Sequence, residues 1–102
     1  MLKVLPEGLQ SYFKSPVFTE RSIPPGLCRA HKTKPYVWAL IHVIEGELIY
    51  RITDKSQEKS EIRLLPDRPP GLVEPTILHE VEARQAVKFY VEFFRSHTLE
   101  NV

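Results

Sequence analysis

Val37-Trp38-Ala39-Leu40-Ile41-His42-Val43-Ile44-Glu45-Gly46-Glu47-Leu48-Ile49-Tyr50-Arg51-Ile52 is the stretch that decides the fold. Two runs rich in Val, Ile, Leu and Tyr, side chains that suit a pleated surface, meet at a Glu-Gly-Glu turn. Glycine turns there at no steric cost, so the spacing predicts a hairpin, Tyr36 to Ile44 and Glu47 to Thr53, closed around Gly46. Further on, Pro75-Thr76-Ile77-Leu78-His79 sets a histidine four residues after a proline, at the head of another candidate strand.

Outward from the hairpin the punctuation is dense. Nine prolines and four glycines recur at short intervals and leave little room for long helices. Strand pieces are expected around Tyr12-Phe13 and Val17-Phe18, then over Leu27–His31, Ser60–Leu65, Leu72–Glu74, His79–Ala83 and Val87–Arg95. No βαβ alternation suggests a parallel sheet, so the chain reads as all-β, a sandwich or barrel. The expected organisation is a single domain over 1–102: an extended arm over 1–26, a barrel over 27–95 and a polar tail over 96–102.

Composition narrows the function. The 102 residues suffice for one modest core. Fourteen Lys and Arg against 13 acids give a formal net charge of +1, and only Lys32 and Lys34 lie close together. No basic stripe is offered to DNA or RNA, so a nucleic-acid partner is set aside. A lone cysteine, Cys28, excludes an intramolecular disulfide and fits a reducing cytoplasm. The longest apolar run, Val37 to Ile44, is interrupted by His42 and is far too short for a membrane span, and Met1 to Pro6 lacks a signal-peptide core. A cytoplasmic protein without a membrane partner is expected.

The segments Ser15-Pro16-Val17-Phe18-Thr19-Glu20, Pro25-Gly26-Leu27, His31-Lys32-Thr33-Lys34, Trp38, Val43-Ile44-Glu45-Gly46-Glu47-Leu48, Glu74-Pro75 with His79, and Phe89-Tyr90-Val91-Glu92-Phe93 occur in an order and spacing that carry a family resemblance. The chain resembles the cupin-like domain at the N-terminus of the tellurite-resistance methyltransferases and its short stand-alone relatives. The resemblance implies a double-stranded β-helix (a small jelly-roll barrel), often dimeric, with an interior metal site and a link to toxic-oxyanion resistance. Two departures limit it. Metal cupins carry His-x-His and then Glu before the hairpin glycine, whereas this chain has only His31 there, with Ala39 about where the glutamate would fall. The methyltransferase half with its glycine loop is also absent from this sequence, so the chain alone is not expected to methylate anything.

On that resemblance His31, His79 and Glu92 are the candidate ligands of a divalent metal, zinc first, with iron, manganese or nickel as alternatives. Each has a bland reading: His79 as a cap to the turn after Pro75, His31 as an exposed strand end. In Val87–Phe94 strict alternation buries the odd positions and sends Glu92 outward; a ligand role instead needs the even face to line the pocket. In that case Phe89, Val91 and Phe93 pack against the arm or a second subunit. Parity with Ala39 turns His42 outward, as a packed or interface histidine. Arg29, Tyr50 and Tyr90 are candidate pocket residues, with a surface salt bridge or ordinary core packing as the competing readings. Cys28 is read as a small buried hydrophobe and His97 as solvated. Glu80 and Glu82 read as a solvated face.

The function expected is a metal-binding domain linked to toxic-oxyanion resistance that takes a small anion or metabolite, as enzyme or not; the alternatives are a non-catalytic sensing module and a metal-free dimerisation domain. A homodimer is expected if so short a chain cannot cover Phe89, Val91, Phe93 and Trp38 by itself, because pairing across a twofold axis would then cover them.

Overall fold

Residues 4–96 are described by a computed structural model, and they form an all-β domain. The strands are β1 (Leu9–Lys14), β2 (Phe18–Thr19), β3 (Trp38–Gly46), β4 (Leu48–Ile52), β5 (Ser60–Leu64), β6 (Gly71–Val73), β7 (His79–Glu82) and β8 (Val87–Ser96). One sheet runs β1-β8-β3-β6, with β2 also on β8, and the other runs β5-β4-β7; all pairings are antiparallel. First and last strands lie side by side, and the chain crosses between the sheets after β3, β5, β6 and β7. That is the strand order of a jelly roll, here left as two separate sheets.

The expected hairpin does not form. β3 stays in register with β8 as far as Gly46↔Val87, through a bulge between Val43 and Glu45. Its edge is therefore occupied, and the chain crosses at Gly46 into the second sheet, where β4 pairs with β5 and β7. The glycine is required for a reason other than a hairpin turn. Its φ is 80°, and a Cβ there would lie 2.1 Å from the Ala86 carbonyl oxygen. The strand expected over Leu27–His31 is also absent: Pro25–Cys28 make one 3₁₀ turn, and only His31 bridges β7. Pro24 and Pro25 favour such a turn because proline fixes φ near the helical value.

The core is the meeting of two inner faces. Ala39, Ile41, Val73, Val87 and Phe89 come from the five-stranded sheet, and Leu48, Tyr50, Leu64 and Val81 from its partner. Alternation thus buries the odd positions of β8, with Val91 and Phe93 packed against the same cluster. The arm contributes as well: Phe18 packs on Phe89 with ring centroids 5.6 Å apart, and Ser15 exchanges hydrogen bonds with Val91. Three of the four apolar residues that argued for a dimer are therefore covered within the chain. Among the described residues no helix is long and apolar enough to cross a membrane. His97 and most of the expected tail lie outside the described residues.

Candidate functional site

Between the sheets lies a cavity of about 590 Å³. Its wall is apolar, built from inner-face residues such as Ala39, Ile41, Val81, Phe89 and Val91 and from Leu27 of the 3₁₀ turn. Imidazoles are set into that wall. His31 and His79 exchange both backbone hydrogen bonds, at 2.8 and 2.9 Å, which makes them directly opposed cross-strand partners on one face. Their rings lie 4.1 Å apart between centroids, and both line the cavity.

The tautomers follow from the partners. Nδ1 of His79 lies 2.9 Å from the Ile77 carbonyl and Nδ1 of His31 lies 3.2 Å from the Arg29 carbonyl. A carbonyl only accepts, so each Nδ1 donates and each Nε2 keeps its lone pair in the neutral ring. Burial pushes the His79 imidazole down to about 4, reinforced by His31 and opposed by the bond to Ile77. His79 is therefore uncharged at neutral pH. Tyr50, fully buried, supports the arrangement from behind. Its hydroxyl donates to the Leu72 carbonyl at 2.7 Å, and its ring stands edge-on to His79 at 5.8 Å. Burial pushes its hydroxyl well above the ordinary phenol value.

The mouth is framed by two loops. Lys32, Thr33, Lys34 and Val37 line it, Thr33 donates to the Val37 carbonyl at 2.8 Å, and Thr76 N–H bonds the Thr33 carbonyl at 3.2 Å. Tyr36 and Thr76 both hold left-handed backbone, with φ of 69° and 62°, a costly conformation for a β-branched or aromatic residue. Two of the lining hydroxyls are engaged: Ser15 donates to the Pro16 carbonyl and accepts from the Val91 N–H, and Thr33 is used as above. No Asp or Glu lines the cavity among the described residues.

The remaining candidates are dispersed. Glu92 lies on the outer face of the five-stranded sheet, where it meets His42 at 2.9 Å, and Tyr90 stacks on His42 at 4.7 Å. Burial resists ionisation of Glu92, but the hydrogen bonds from Ser11 and His42 outweigh it and hold the carboxyl below its ordinary value. Arg29 is exposed and supplies only its carbonyl. Cys28 is exposed rather than buried. Glu80 and Glu82 share the outer face of the smaller sheet, where both are ion-paired to Arg51. In the sequence the lysines of the mouth stand out as the nearest thing to a charge cluster and as part of the family pattern, without a role. Their place on a loop leading directly out of His31 is the signal that was there to use.

The structure and known proteins agree on the family. Residues 14–91 match the model of the TehB-like domain, and the chain belongs to that family. Two curated relatives from Haemophilus influenzae, strains KW20/Rd and 10810, are 32% and 30% identical over 73 residues; each is described as a probable S-adenosyl-L-methionine-dependent methyltransferase TehB. The match covers 71% of this chain but 26% of those relatives, so the chain spans about a quarter of their length. The crystal structure of TehB from Haemophilus influenzae superposes with a TM-score of 0.80 at 25% identity, over 88% of this chain and 32% of that one. A structure from Escherichia coli K12 superposes at 0.78 and 20% identity, over 94% of this chain and 98% of that one, and shows the shared fold.

The expected divalent metal is overturned. His31 and His79 come together, but Glu92 is on the far face, and no group of three or more His, Cys, Asp or Glu able to hold a metal occurs among the described residues. The cofactor in the relatives' names is S-adenosyl-L-methionine, not a metal ion.

Proposed function

We propose that this chain is a non-catalytic small-molecule-binding domain that serves methyltransferase-linked resistance to toxic oxyanions such as tellurite. The observation that carries the binding half is the apolar cavity with two imidazoles set into it, that of His79 held neutral by burial. Apolar cavities with a few convergent polar groups are where small ligands bind. The resistance half rests on family membership. S-adenosyl-L-methionine does not suit this cavity. Its sulfonium is cationic and its ribose hydroxyls are met by carboxylates in known dinucleotide-type sites, whereas this mouth carries Lys32 and Lys34 and the lining has no acid among the described residues. Methyl transfer is accordingly assigned to the part of the relatives that this chain does not span.

Trp38, Leu40 and Phe94, half-buried on the outer face of the five-stranded sheet, form the surface on which a second copy would pack. A monomer mass in light scattering would remove that element alone. Binding is tested by NMR titration of the full chain with 3-phenylpropanoate as a first probe, read at the His31 and His79 ring resonances. Saturable shifts at both rings are expected, and silent rings with this and related aromatic acids would sink the reading. Resistance is tested by tellurite challenge of host cells: expression should raise the inhibitory concentration, and Val91→Trp, which fills the cavity, should not.

A further inference from the structure

The geometry points to the class of ligand: an apolar organic anion that carries an O–H or N–H donor at the end away from its charge. This rests on the binding reading just given and adds to it the two polar requirements. The inner requirement comes from the imidazoles. Both Nδ1 atoms are spent on backbone carbonyls, and neither Nε2 has a hydrogen-bond partner among the described residues. A neutral Nε2 accepts and does not donate. A ligand that seals the cavity without a donor leaves buried acceptors unpaired, and a site built this way rejects such a ligand more strongly than it rejects a missing methylene.

The outer requirement comes from the mouth. Among the described residues, Lys32 and Lys34 are the lysines that line the cavity, and no carboxylate stands beside them in the lining. The Asp54 carboxylate, which feels Lys32, is already held by Ser56 and by the Leu78 N–H. An anion at the mouth meets two ammonium groups and a cation meets repulsion. The span between these ends is apolar on both sheets, so the body of the ligand is hydrocarbon or aromatic. A fully ionised inorganic oxyanion suits the mouth alone: it offers only acceptors to the imidazoles and brings nothing to the apolar wall.

Three probes separate the requirements: 3-(4-hydroxyphenyl)propanoate, 3-phenylpropanoate and 2-(4-hydroxyphenyl)ethanol, titrated into the full chain by calorimetry. The first should bind about tenfold tighter than the second, the ordinary worth of one well-placed hydrogen bond. It should bind several-fold tighter than the third, the smaller worth of a solvent-exposed ion pair. The hydroxyl preference should vanish in His79→Phe. His31→Phe, at the less buried ring, gives the same reading if the first variant does not fold. The carboxylate preference should vanish in the Lys32→Gln/Lys34→Gln double variant, which leaves the core untouched. Equal affinity for all three probes overturns the ligand class and leaves the pocket standing. Absence of binding by any of them overturns both.

Discussion

A histidine–histidine pair and a histidine–glutamate pair face opposite sides of the five-stranded sheet, and their chemistry differs because their surroundings do. On the inner side His31 and His79 share an apolar cavity with no acid near enough to line it, and His79 stays neutral. On the outer side His42 meets Glu92 at 2.9 Å, Tyr90 stacks on the imidazole, and Ser11 helps hold the carboxylate in its charged form. One environment desolvates and the other pairs. The lesson is that residue type alone does not make a site: a histidine and a glutamate that looked like fellow ligands are separated by the thickness of a sheet.

The largest way to break this contrast is one step along β8. Phe89→Ala removes a fully buried wall of the cavity and should cost about 3–5 kcal/mol in urea unfolding. Tyr90→Ala, its half-buried neighbour on the outer face, should cost about 1–2 kcal/mol. Equal losses would mean that the two faces are not distinguished by packing.

Acid sharpens the contrast next. His79 takes up its proton near 6.5 when unfolded but only near 4 when folded. Its folded pKa is depressed, so the stability it confers is complete above about pH 6.5 and drains away as the pH falls to 4. The total is on the order of 3 kcal/mol for a shift of this size. Unfolding midpoints measured from pH 7 to 4.5 should fall in the native chain and flatten in His79→Phe. The outer carboxylate works in a lower window: the folded value of Glu92 lies below 4.5, so its contribution is complete above about 4.5 and drains as the pH falls toward that lower value.

Salt provides a smaller lever. Glu92→Gln should cost about 1 kcal/mol at low ionic strength and less in 1 M NaCl, because the attraction between the Glu92 carboxylate and Lys14 is screened by salt whereas the bond a neutral amide makes is not. His31→Phe should show no such salt dependence. Smallest of all, Arg84→Gln on the rim of the Arg51 network should change stability by less than about 0.5 kcal/mol.

Much of this was legible from alternation. The odd positions of Val87–Phe93 and the Ala39, Ile41, Val43 series turn inward as their spacing requires, and that same parity sends His42 outward to the place where Glu92 waits. The resemblance located His79 in the interior. What could not be read was pairing between distant segments. Nothing local tells β3 to give both its edges to β6 and β8 and leave β4 for the second sheet; that choice is made by a core 40 residues downstream. The metal set failed for the same reason. A ligand triad needs three side chains on one face, and periodicity already placed Glu92 on the wrong one while the family pattern argued for it. Tyr50 and Tyr90 were assigned by residue type and Arg29 by its parity with His31; Tyr50 alone brings its side chain to the His31–His79 pair, while Arg29 reaches it with its carbonyl.

The jelly-roll order places a demand on synthesis as well. β8 carries β1, β2 and β3 on its edges, with Leu9 opposite Ser96 and Phe18 opposite Phe89. The five-stranded sheet therefore cannot assemble until Ser96 has cleared the ribosomal tunnel. Until then Phe18, Ala39 and Ile41 wait without the strand that covers them. A nascent chain of this design depends on holding its early strands apart, and its folding is set by the slow closure of long loops rather than by local structure.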